Sequence, residues 1–235
     1  MTRQISGILL ALGSIVSGLL LALSLPGTDL GFLAWFGMAP LLYCLRERGP
    51  LAALGLGFAF GCAFGGGAFY WLNAIPTVSP TRFAMIIATL SVYFVAFAIL
   101  YHLTAAAIGP WVILGAPALW VALEYARVNL FFLAVPWNLL GHSQYQYLPL
   151  IQIADITGAF GISFLIVMVN QVLSEIPDLM ASRAPRVSWR AHLLTLGLVL
   201  LATLAYGWYR LSVPETGDRV RVAVVQANVL ARDGM

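Results

Sequence analysis

The chain has 235 residues, of which 61% are hydrophobic and only 9% charged, with a formal net charge of +3 and a mean hydropathy of +0.92. A soluble globular domain carries about a quarter charged residues, so this composition excludes one and marks a polytopic membrane protein. Every basic residue beside the histidines is arginine, and arginines at loop edges read as topology signals rather than as a nucleic-acid footprint.

Ile5 to Leu25 is an apolar run of about the 20 residues needed to cross a ~30 Å hydrocarbon core. Ala22 and Ser24 imitate a cleavage site, but the run is long for a signal core and further spans follow, so an uncleaved first helix is expected. Turn residues from Pro26 to Asp29 lead into a short second span, Leu30 to Leu45, closed by Arg46, Arg48 and Pro50. The third span, Leu51 to Trp71, carries Gly57, Gly61 and Gly65 at four-residue intervals, which places them on one helical face where another backbone can approach closely. Gly66 and Gly67 loosen its end, and Tyr70 and Trp71 suit headgroup depth. A loop with Pro76 and Pro80 precedes the fourth span, Phe83 to Ile108, whose His102 reads as a hydrogen-bonded helix-end residue. Cys44 and Cys62 fall in apolar segments and read as packing residues, not as a metal pair or a disulfide framework.

The fifth span runs from Trp111 to about Tyr125 and contains Pro117, which kinks a helix unless it lies in the first turns. Glu124 and Arg127, near its end, either pair on one helix face or serve a polar headgroup. The segment 127–157 then breaks the apolar pattern. Pro136 and Pro149 interrupt regular helix, while Asn138, His142, Ser143, Gln144, Gln146, Gln152 and Asp155 all need partners in a bilayer. Such backbone belongs at an interface or in a protein-lined cavity, and the flanking spans read as its frame. Trp137, Asn138, His142, Gln144 and Tyr145, with Glu124 and Arg127, are the candidate substrate-binding residues; an interfacial anchor belt with ordinary loop capping is the alternative. A sixth span, Gly158 to Leu173 with a start before Asp155 as the alternative, a connection with Arg183, Arg186 and Arg190, and a seventh span, Ala191 to Tyr209, complete the set.

With the start in the cytoplasm, Arg3, Arg46, Arg48, Arg183, Arg186 and Arg190 gather on that side, and Arg82, Arg127 and Arg210 on the other, as the positive-inside rule favours. The polar segment and everything after Tyr209 then face outward. Beyond the turn chemistry from Pro214 to Asp218, Arg219 to Val229 is rich in β-branched residues and reads as the first strand of a soluble α/β domain, which needs neighbouring strands. The expected fold is therefore an all-α polytopic membrane bundle of about seven spans over 1–211, followed at 212–235 by a linker and the start of a truncated α/β domain. A transporter or channel subunit with a re-entrant loop, and a non-catalytic membrane scaffold, are competing readings. The first is weakened by the single broken segment and by charges that cluster at span ends.

Ala116 to Trp120, Glu124, Arg127, Pro136, Trp137, Gly141, Ser143 and Gln144, with Tyr70 and Trp71 upstream and Val222 to Gln226 downstream, resemble the bacterial apolipoprotein N-acyltransferases. The ordered set covers nearly the whole chain. His142 departs from it, because the family often has tyrosine there. The resemblance implies a nitrilase-like domain after the membrane domain, a phospholipid acyl donor, a diacylated apolipoprotein acceptor, a monomer in the inner membrane, and no cofactor or metal. It also implies a glutamate base, an oxyanion-stabilising lysine and a cysteine nucleophile. None of that triad maps onto this chain, which lacks lysine and has its cysteines within predicted spans. By itself the chain is expected to be inactive.

Overall fold

The computed structural model describes residues 7–46, 49–129, 134–181, 189–214 and 221–225. Its ordered elements are helices: α1 (Gly7–Leu23), α2 (Ala34–Gly37), α3 (Ala39–Leu45), α4 (Pro50–Ala68), α5 (Pro80–Ile108), α6 (Val112–Asn129), α7 (Leu148–Ile151), α8 (Ala154–Leu173), α9 (Ile176–Met180) and α10 (Trp189–Ser212), with 3-10 turns between several of them. Among the described residues 5 helical stretches are long and apolar enough to cross a membrane: Pro50–Ala68, Pro80–Ala105, Gly109–Asn129, Ala154–Met180 and Trp189–Ser212. Gly7–Leu23 and Gly31–Leu45 are shorter apolar stretches. The chain is a multi-pass membrane protein.

The glycine face of α4 packs as its spacing predicts. A Cβ on Gly57 would lie 2.8 Å from the Phe94 carbonyl oxygen and from Ala98 Cβ, and one on Gly61 would lie 2.8 Å from Ser91 Cα. Gly65 faces the Ile87 side chain at 3.3 Å, so α4 and α5 meet backbone to backbone at Gly57 and Gly61 and are in side-chain contact a turn later. The opposite side of α4 receives α1, where Ser14 Oγ donates to the Leu56 carbonyl at 2.7 Å and Gly18 abuts the Phe60 carbonyl. Phe60, Phe94, Phe97 and Trp120 fill the centre; Trp120 meets Phe97 edge to face at 5.2 Å and Phe60 at 6.2 Å.

The second predicted span is not one helix. It is a 3-10 turn, Gly31–Leu33, followed by α2 and α3. Pro40 has no N–H to continue the ladder, and the fully buried Asn170 of α8 enters the gap. Its Oδ1 accepts from Met38 N–H at 2.8 Å and Ala39 N–H at 2.9 Å, while its Nδ2 donates to the Ala34 carbonyl at 2.8 Å. The next free donor, Leu41 N–H, bonds to Ser17 Oγ of α1 at 2.9 Å.

Pro117 lies inside α6, at its sixth residue, so the Ile113 carbonyl loses its helical donor there. The sixth span starts before Asp155, at Ala154, the earlier of its two expected starts, with Gly158 at φ 63°, ψ −171° breaking it after one turn. The expected strand at 219–229 is not formed among the described residues. Arg221 to Val225 have no regular structure and are exposed, Val224 at 92%, and no second strand is described for them to pair with. The remainder of that stretch lies outside the described residues.

Candidate functional site

The polar segment is held to the bundle from beneath by the last two turns of α6. Arg127 is buried, and its guanidinium donates to the carbonyls of Val135 at 3.1 Å, Trp137 at 2.7 Å and Asn138 at 3.2 Å. Its own carbonyl accepts from Val135 N–H at 2.8 Å, so the stretch 134–139 runs back along the helix end. One turn earlier Glu124, also buried, accepts from Leu140 N–H at 2.8 Å. Both residues thus hold backbone of the segment rather than each other. The second Glu124 oxygen has no hydrogen-bond partner among the described residues, and Glu124 lines a small cleft with Tyr93, Phe94, Phe97, Trp120 and Arg127 that has room for a water-sized group.

Asn138 takes a positive φ of 58°, which asparagine tolerates better than most residues. Its Nδ2 donates to the Ala68 carbonyl at 2.9 Å and so caps the end of α4. The reversal turns Trp137 outward, 55% exposed, with its ring 5.6 Å from Trp71 and nearly perpendicular to it at 86°. Tyr70 and Trp71 follow α4 in the turn Tyr70–Ala74 and are both exposed. Together these rings form an aromatic face at one end of the bundle.

Beyond it, the 3-10 turn Leu140–Gln144 sits on α8. Gly141 N–H donates to Ser163 Oγ at 2.9 Å, and a side chain at Gly141 would run into the Ala159 carbonyl. Gln144 is wholly buried: its Oε1 accepts from Trp35 Nε1 at 2.9 Å, and its Nε2 donates to the Gly31 carbonyl and to Ser143 Oγ, both at 2.8 Å. Tyr145 is half exposed and donates to Asp29 at 2.7 Å. His142 is half-buried. Burial first, then the positive charge of Arg127, push its imidazole below the usual histidine range.

The predicted residues therefore divide into two groups. Trp137 and Tyr145 face outward, with Asn138 and His142 half-buried beside them, whereas Glu124, Arg127 and Gln144 lie underneath with protein partners. The partners Trp35, Asp29 and Ser163 escape a reading along the chain, because their roles depend on contacts 22 to 116 residues away in sequence. Amides in an apolar span are a usable signal, and Asn170 and Gln171 of α8 carried it. Among the described residues no group of three or more histidine, cysteine, aspartate and glutamate side chains is placed to hold a metal ion.

The family model for the apolipoprotein N-acyltransferase N-terminal domain matches residues 17–172. The chain is 40% identical over 224 residues to an apolipoprotein N-acyltransferase of Geobacter metallireducens, covering 92% of this chain and 43% of that protein. It is 30% identical over 240 residues to one of Allorhizobium ampelinum, covering 93% and 43%. With one of Thermotoga maritima the identity is 29% over 188 residues, covering 74% and 37%. The chain thus spans about two fifths of the length of these relatives.

Proposed function

The chain belongs to the apolipoprotein N-acyltransferase family through its N-terminal domain, and we propose that it is the membrane part of an enzyme that moves an acyl chain from a phospholipid to the amino-terminal amine of a diacylglyceryl-cysteine lipoprotein. In such a transfer a cysteine thiolate attacks the donor ester and releases the lysolipid; the amine then attacks the thioester, forming the amide and freeing the thiol. The glutamate, lysine and cysteine for these steps belong to a nitrilase-like domain of the longer protein, following residue 212. This chain, without lysine, transfers nothing alone.

Its share is to hold that domain against the outer leaflet of the bacterial inner membrane, as a monomer of about seven crossings, and to frame a lateral opening for lipid. Trp137, Asn138, His142 and Tyr145 meet the lipid substrates at headgroup depth, while Glu124, Arg127 and Gln144 hold them in place. The observation that carries this reading is Trp137: an exposed ring on Trp71, presented by backbone that buried Arg127 grips at three carbonyls. An amphipathic ring on a rigid support suits an acyl–headgroup boundary. A transporter reading has no such support, since Arg46, Glu175, Asp178, Asp155 and Arg210 pair at helix ends.

In the full-length protein, Trp137→Ala is expected to lower turnover of phospholipid donor while expression and melting midpoint stay near wild type. A fall in all three together would return Trp137 to the role of a structural anchor.

A further inference from the structure

α10 is buried most deeply at two places, with Leu196, Val199 and Leu200 packed partly against the core between them. Its buried residues are His192 near one end and Thr203 and Gly207 toward the other, with His192 and Gly207 about 22 Å apart along the axis. At the first, His192 lies between Glu175, with Nδ1 to Oε1 at 2.9 Å, and the Pro110 carbonyl, with Nε2 at 3.0 Å. The second contact is with the far end of the polar segment. A Cβ on Gly207 would collide with the Pro149 carbonyl, so the α10 backbone lies directly on α7. On either side of Gly207, Tyr206 Oη donates to Asp155 Oδ2 at 2.7 Å and Arg210 Nε reaches the same oxygen at 3.0 Å.

Asp155 stands in the single turn of α8 that Gly158 sets apart from the rest of that helix. It therefore continues the polar segment rather than the long span. Arg210 is two residues short of Ser212, where α10 ends. The chain accordingly leaves the bundle from a point fastened to the same segment that, at its other end, presents Trp137.

We propose that Asp155, Tyr206, Gly207 and Arg210 form a joint that sets the position and direction of the chain beyond Ser212 relative to the Trp71–Trp137 face, and that they are positioning residues for acyl transfer. The consequence for transfer rests on the reading that the polypeptide following α10 carries the reacting groups; the joint itself does not. Beyond Thr203 the residues of α10 are exposed except Tyr206 and Gly207, so this end of the helix is held to the bundle through the joint. Close backbone seating at Gly207 opposes sliding, and two donors on one carboxylate oxygen oppose rotation. The ion pair is partly exposed and adds little to global stability, so its loss moves the exit without unfolding the bundle.

Two variants of the full-length protein test this: Gly207→Leu, and the double variant Tyr206→Phe with Arg210→Gln. Spin labels introduced as non-natural amino acids at Ala74, beside Trp71, and at Val213 report the distance between the aromatic face and the exit by pulsed EPR. The distance distribution is expected to broaden or shift in both variants, with the melting midpoint of the double variant near wild type. Its kcat for acyl transfer should fall by about 10- to 100-fold with KM for the phospholipid nearly unchanged, as expected of misplacement on the ångström scale. If Gly207→Leu does not fold, the double variant decides. An unchanged distribution in the double variant overturns the joint, and a parallel fall of kcat and melting midpoint overturns the positioning role. If the wild-type protein transfers no acyl chain, the proposed function fails while the distance measurement still decides the joint.

Discussion

Arg127 and Gln144 show how polar side chains are kept in a mostly hydrocarbon protein. Each is buried, and each bonds to main-chain carbonyls of the segment or of its neighbours. That is the arrangement the bilayer demands, because an irregular backbone cannot turn to water for its missing partners. His142 has a different problem: half-buried beside the Arg127 cation, it resists protonation. An unfolded chain takes up a proton near the ordinary value of 6.5, whereas the folded one does so only at lower pH. The contribution of His142 to stability is therefore fully present above that value and is lost as pH falls below it, through the lowered folded-state value. Replacing His142 with tyrosine, an aromatic ring that does not titrate in this range, is expected to flatten this acid limb of the melting midpoint measured in detergent. An acid limb as steep as that of wild type would show that His142 is not its source.

At the scale of elements, the break between α2 and α3 and the seam between α4 and α5 are opposite solutions. The seam uses absence of side chains, so that Gly57 and Gly61 let two helices meet at their backbones. The break uses one side chain, Asn170, to stand in for hydrogen bonds that Pro40 and the turn at Met38 remove. Asn170→Leu fits the apolar surroundings but removes the bonds that the asparagine makes to two N–H groups and a carbonyl. The expected loss is about 3 kcal/mol, read as an earlier unfolding midpoint in mixed micelles of rising SDS fraction, with faster amide exchange at Met38 and Ala39. Unaltered exchange at those two amides would show that water or a neighbouring group replaces the asparagine.

For the whole molecule, ionic groups collect at its two ends. Arg46 pairs with Asp178 at 2.9 Å and lies 3.8 Å from Glu175, which also meets His192. At the other end lie Asp155 with Arg210, Asp29 with Tyr145, and the Trp71–Trp137 face. Arg48, Arg183, Arg186 and Arg190 are close in sequence to the first group, and we propose on the positive-inside rule that this end faces the cytoplasm. A phosphatase reporter that works only outside the cytoplasm is therefore expected to be active when fused after Tyr209 and silent when fused after Arg48. The reverse pattern would invert the orientation, and with it the placement of the aromatic face at the outer leaflet.

Membrane class and the positions of the five long apolar helices were determined by the sequence itself, because hydrocarbon thickness and backbone satisfaction act on local runs of residues. The glycine face of α4 was legible for the same reason, since a four-residue interval is a property of one helix. Only the tertiary structure decided which residues of the polar segment point outward. Glu124, Arg127 and Gln144 look as available in sequence as Trp137 and Tyr145, and they are buried because carbonyls and N–H groups at Val135, Leu140 and Gly31 come to meet them. The interrupted second span is of the same kind, for Pro40 marks a weak point but the partner that makes the break stable is Asn170, 132 residues from Met38. Long-range hydrogen bonding is set by how helices pack, and no local pattern encodes it.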